Sequence, residues 1–167
     1  MESLVVDDCG SLQEIFELEG QEVTKTRAVI VNQLKKLFMH RLPKLKRVWN
    51  KDSQGTFSFS NLQEIEVEHC EKLKFIFSST IAKGLPQLQV LVIQECSIMG
   101  AIIIKEEGEI EDRDTILFPQ LRHLELHQLP KLVSFLNTQK SVINDAGEII
   151  PECELDFHMP ILQEQVY

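Results

Sequence analysis

A short frame of apolar positions recurs along the chain, and its spacing predicts the elements. Met1-Glu-Ser-Leu4-Val-Val6, Leu34-Lys-Lys-Leu37-Phe-Met39, Leu62-Gln-Glu-Ile65-Glu-Val67, Leu88-Gln-Val-Leu91-Val-Ile93 and Leu121-Arg-His-Leu124-Glu-Leu126 each read apolar-x-x-apolar-x-apolar. The end of the frame alternates, as a strand with one buried face does. A second apolar half follows each time: Leu12 to Phe16, Leu42 to Trp49, Leu73 to Phe77, Met99 to Ile103 and Leu129 to Phe135. Pro43 and Pro130 sit just after the turn leucine, where no ladder N–H is needed. These halves suit extended or 3₁₀ segments more than long helices. Ser78 to Gly84 is the best helix candidate, with serine to cap it and glycine to end it.

One such unit cannot bury its own apolar side, so units must stack. The frame is that of a leucine-rich repeat. The predicted fold class is α/β: a solenoid with a curved parallel sheet on the concave face and short helical, 3₁₀ or extended segments on the convex face. The frame begins at residues 1, 34, 62, 88 and 121, so the intervals are 33, 28, 26 and 33. The extra length falls on a polar loop, Gly20 to Arg27, and an acidic one, Lys105 to Thr115. Phe59-Ser-Asn-Leu62, Leu85-Pro-Gln-Leu88 and Phe118-Pro-Gln-Leu121 each place an apolar residue three before the first leucine. Met159-Pro-Ile-Leu162 repeats that cue and reads as the start of a truncated sixth unit. Residues 1–136 are therefore expected to form an array of about five units, and 137–167 a long connection plus that start. Neither end carries a polar capping unit, which suggests a slice of a longer array.

The residues between the apolar ones point outward and form the candidate partner-contact face. They are Lys36, Phe38 and His40, then Glu64, Glu66 and Glu68, then Val90, Val92 and Gln94, then His123, Glu125 and His127, with Ser3, Val5 and Asp7 ahead of them. Strands ~4.8 Å apart would stack these into three columns. Phe38, Val90 and Val92 are apolar at outward positions, which can mark a contact patch or a surface that another segment covers. Glu64, Glu66 and Glu68 form a local negative strip. It suits a basic partner, or is simply a solvated face.

Composition narrows the function. The net charge of −9 argues against nucleic acid as a partner and leaves a protein as the expected one. No apolar run reaches the ~18 residues of a membrane span. No secretory signal and no Asn-x-Ser/Thr site is visible, so the expected location is the cytoplasm. Cys9, Cys70, Cys96 and Cys153 contain no CxxC pair. The first three follow the frame by three residues, and they read as small apolar groups packed inside the turn that leaves the strand. His123 and His127 share a strand face but lie ~13 Å apart, too far to hold one ion together. The acidic loop lacks a calcium-loop pattern, and no Gly-x-Ser-x-Gly or Gly-x-x-x-x-Gly-Lys is present. No enzyme activity, metal or cofactor is expected.

The finer pattern resembles one family. Leu62-Gln-Glu-Ile65-Glu-Val67-Glu-His-Cys70-Glu-Lys-Leu73-Lys-Phe-Ile76-Phe77 looks like L-x-x-L-x-V-x-x-C-x-x-L-x-x-L-F. Leu121-Arg-His-Leu124-Glu-Leu126-His-Gln-Leu129-Pro130-Lys131-Leu132 looks like its partner form, L-x-x-L-x-L-x-x-L-P-x-L. Their alternation over most of 1–136 resembles plant intracellular disease-resistance receptors of the coiled-coil, nucleotide-binding, leucine-rich-repeat type. The resemblance implies a role in plant innate immunity: sensing a pathogen effector or guarded host protein, or restraining a nucleotide-binding module. It transfers no individual ligand residue. A substrate-recognition array of a ubiquitin ligase is the alternative. That reading calls for units nearer 26 residues and an F-box, which this sequence does not show.

Overall fold

The computed structural model describes residues 2–16, 32–49, 59–105, 117–137, 141–143 and 149–151. The Gly20–Arg27 loop, nearly all of the acidic loop, Cys153 and the proposed sixth unit lie outside the described residues. The repeated frame forms β1 (Ser3–Asp7), β3 (Lys36–His40), β5 (Glu64–Glu68), β7 (Val90–Gln94) and β9 (His123–His127). These five pair in parallel, in the order β1-β3-β5-β7-β9. The register is one to one: Leu4, Leu37, Ile65, Leu91 and Leu124 are aligned, as are Val6, Met39, Val67, Ile93 and Leu126. The fold is a leucine-rich-repeat solenoid built mainly from parallel strands.

The returning halves are extended, as their proline content and length predict. They form β2 (Glu14–Phe16), β4 (Arg47–Trp49), β6 (Phe77–Ser78), β8 (Ala101–Ile104) and β10 (Ser134–Asn137). Their sorting was not predicted: β2 pairs with β4, while β10, β8 and β6 make a separate parallel sheet. An aromatic cluster spans the two groups. Trp49 stacks on Phe16 at 5.1 Å and on Phe77 at 6.2 Å, and Phe59 meets Trp49 edge-on at 4.5 Å. Further on, β11 (Ser141–Ile143) and β12 (Ile149–Pro151) pair antiparallel, within the stretch 137–167 expected to be a long connection and the start of a further unit.

A short helix, α1 (Ser79–Lys83), forms where the caps predicted one. The Ser78 hydroxyl accepts from the Ile81 N–H at 3.3 Å, satisfying an otherwise orphaned donor. Gly84 ends the helix, and a Cβ there would lie 3.3 Å from the Ile81 carbonyl oxygen.

Each layer turns by the same two devices. The residue after each strand of the main sheet is left-handed: Asp8, Arg41, His69, Glu95 and Gln128 all have φ between 51° and 54°. The first four donate their N–H to the last carbonyl of the next strand, for example Arg41 to Glu68 at 3.0 Å. A turn closed by an i to i+3 bond follows, as from Leu45 N–H to Leu42 O at 3.1 Å and from Leu132 N–H to Leu129 O at 3.1 Å. Pro43 and Pro130 occupy the second turn position, which suits their fixed φ. The bend costs about 1–2 kcal/mol at each non-glycine residue. The continued ladder and the buried frame offset that cost.

The core lies between the main sheet and the returning halves. Leu62, Ile65, Val67, Cys70, Leu73 and Ile76 of the third layer are almost wholly inaccessible. Cys70 and Cys96 pack inside as their slot predicts, with Cys70 Sγ within 3.6 Å of the Glu68 carbonyl and Cys96 Sγ 3.3 Å from that of Gln94. Contact with the Cys96 side chain, then burial, push the Cys70 thiol up, so it stays neutral. Cys9 departs from the expectation: it is exposed. Its slot is the same, but among the described residues β1 pairs with β3 alone, and the sulfur lies open.

Candidate recognition face

The outward residues of the main sheet fall into three columns because the register is one to one. Ser3, Lys36, Glu64, Val90 and His123 align, then Val5, Phe38, Glu66, Val92 and Glu125, then Asp7, His40, Glu68, Gln94 and His127. The structure thus brings all twelve candidate residues onto one surface, four strands wide. Val5 is well exposed at 59%. Phe38, Val90 and Val92 are half-buried rather than open, because neighbouring columns shield them.

The glutamate strip does not stand bare. Lys36 Nζ lies 2.6 Å from Glu64 Oε2, its ladder partner. His40 Nε2 lies 3.4 Å from Glu66 Oε1. His69, in the bend after β5, places Nε2 3.5 Å from Glu68 and Nδ1 3.2 Å from Glu95. Glu125 accepts from the Gln94 side-chain amide at 3.3 Å and lies 3.5 Å from His123. The face is therefore a mosaic of carboxylates with cationic or titratable partners. Such half-exposed pairs each contribute at most about 1 kcal/mol. They chiefly fix where charge stands.

The sequence reading missed what the bends contribute. His69 and Glu95 lie just past the strand ends and join the face through the left-handed turn. The repeated position of that turn was the available signal. Spacing within one strand shows no metal-ligand set, since His123 and His127 lie too far apart. Across strands, His40, Glu66 and Glu68 bring ligand atoms within 4.8 Å of one another, and so do Glu68, His69 and Glu95.

Among known families, the model of the leucine-rich repeats of RPS2-like plant disease resistance proteins matches residues 1–97. The chain belongs to this family. The RPS2-like match covers more than half of the 167 residues and takes in β1 to β7, ending at Ser97 before β8. β9 lies beyond it and continues the same sheet in the same register. RPS2-like repeats are recognition modules, which gives this chain a protein-interaction role in plant immunity. No curated protein and no solved structure matches it. Among the described residues, no helix is long and apolar enough to cross a membrane, which says nothing of a β-barrel.

Proposed function

We propose that the open face of β3, β5, β7 and β9 holds a protein partner in the cytoplasm of a plant cell. That partner is a pathogen effector, a guarded host protein, or the nucleotide-binding module of a receptor that carries these repeats. The reading extends the resemblance to coiled-coil, nucleotide-binding receptors. The observation that carries it is the placing of half-buried Phe38, Val90 and Val92 among charged residues on one face of a sheet in one-to-one register. Apolar groups ringed by oriented charge are what a specific protein contact uses, for affinity and for register respectively.

A photo-crosslinking amino acid at Val92, introduced into the chain expressed in plant cells, tests the reading. The control is Val133, which is 66% exposed between the turn after β9 and β10. Adducts should form from Val92 and not from Val133. An adduct with a nucleotide-binding module indicates restraint, and one with an effector or host protein indicates sensing. Equal adducts from both positions, or adducts from Val133 alone, would overturn the proposal.

A further inference from the structure

We propose that His40, Glu66 and Glu68 form a binding site for a divalent cation of the zinc class, bridging β3 and β5. His40 ends β3, Glu68 is its ladder partner on β5, and Glu66 is one outward step back on the same strand. Their ligand atoms all lie within 4.8 Å of one another. Zinc accepts imidazole nitrogen and carboxylate oxygen at about 2.0–2.2 Å, so tetrahedral ligands stand roughly 3.3–3.5 Å apart. The 3.4 Å between His40 Nε2 and Glu66 Oε1 fits that separation.

Two further observations point to an ion. His40 Nε2 is shut off from solvent and makes no hydrogen bond, although Glu66 is near. A buried imidazole nitrogen without a partner costs free energy, and a bound cation would satisfy it. Glu66 and Glu68 also stand on the same face of one strand, and a cation between them would offset the repulsion of their like charges. Three protein ligands leave a fourth position for water or for a donor from a partner.

The adjoining group of Glu68, His69 and Glu95 is different. Both His69 nitrogens face a carboxylate, Nε2 towards Glu68 and Nδ1 towards Glu95. Each of its ring nitrogens thus already stands beside a carboxylate, whereas His40 Nε2 makes no hydrogen bond. His69 is therefore a positioning residue that steadies Glu68, and the ion belongs on the His40 side.

The test is a titration of the full chain with zinc chloride against a competing chromogenic chelator, repeated with cobalt(II) to read visible absorption. One zinc should bind, and four-coordinate cobalt should give intense visible bands. His40→Gln and Glu66→Gln should each weaken zinc by about tenfold or more, on the scale seen when metal-site residues are changed. His123→Gln should leave binding unchanged. Circular dichroism of each variant separates loss of the site from loss of the fold, and a zinc-induced shift of the His40 imidazole resonance in the unsubstituted chain checks the site without any substitution. Absence of zinc binding by the unsubstituted chain would overturn the assignment. So would full retention in His40→Gln, or loss in His69→Gln alone. The crosslinking experiment, run in chelator, is independent of these outcomes.

Discussion

Among the described residues, the inner layers of the stack and the first and last of its layers carry the same frame but are buried differently. Ile65, Val67, Leu91 and Ile93 of β5 and β7 have no accessible surface. Leu4 and Val6 of β1, and Leu124 and Leu126 of β9, occupy identical slots and are half-buried. The same side-chain type in the same local conformation therefore contributes unequally, because burial in a stack comes from neighbours on both sides.

The largest expected effect breaks an inner layer. Ile65→Ala should cost about 3–5 kcal/mol in denaturant unfolding, with both transfer and cavity terms at work. Leu124→Ala should cost only about 1–2 kcal/mol, because part of that side chain already meets water. Equal losses would remove the distinction between inner and outer layers. A middle-sized effect belongs to the helix: Ser78→Ala should lose about 1 kcal/mol with the cap. Its readout is amide exchange at Ile81, which should quicken. The smallest effect sharpens the comparison at an outer bend. Gln128 is exposed and left-handed at φ 52°, so Gln128→Gly should raise stability by about 0.5–1 kcal/mol in the same unfolding assay. A decrease would mean that the Gln128 side chain contributes more than its bend costs.

What could be read beforehand was local or periodic. The frame, the columns and the Ser78–Gly84 helix follow from spacing of two residues or a few, so they are written in neighbouring letters. The slot of Cys9 was readable, but its exposure depends on how strands stack, and among the described residues β1 pairs with β3 alone. The pairing of the glutamate strip was hidden for a related reason. His40 and Glu68 are 28 positions apart, and only the register makes them neighbours. The split of the returning halves into two sheets was equally hidden, since β4 and β6 have no local signal that separates them. Phe38, Val90 and Val92 are half-buried at their outward positions, and that shielding is a property of the assembled sheet rather than of local spacing.

The register also sets how this surface can vary. Equivalent residues of successive strands are separated by 33, 28, 26 and 33 positions, yet Ser3, Lys36, Glu64, Val90 and His123 remain in line. All of the difference in length is absorbed between the strands of the main sheet, and none is passed into it. Residues added to or removed from those connections leave the columns aligned. Loss or duplication of a whole unit would slide one stripe of the surface past the others without scrambling it. The two kinds of change are thereby uncoupled: connections can diversify in length while the face is edited one strand at a time.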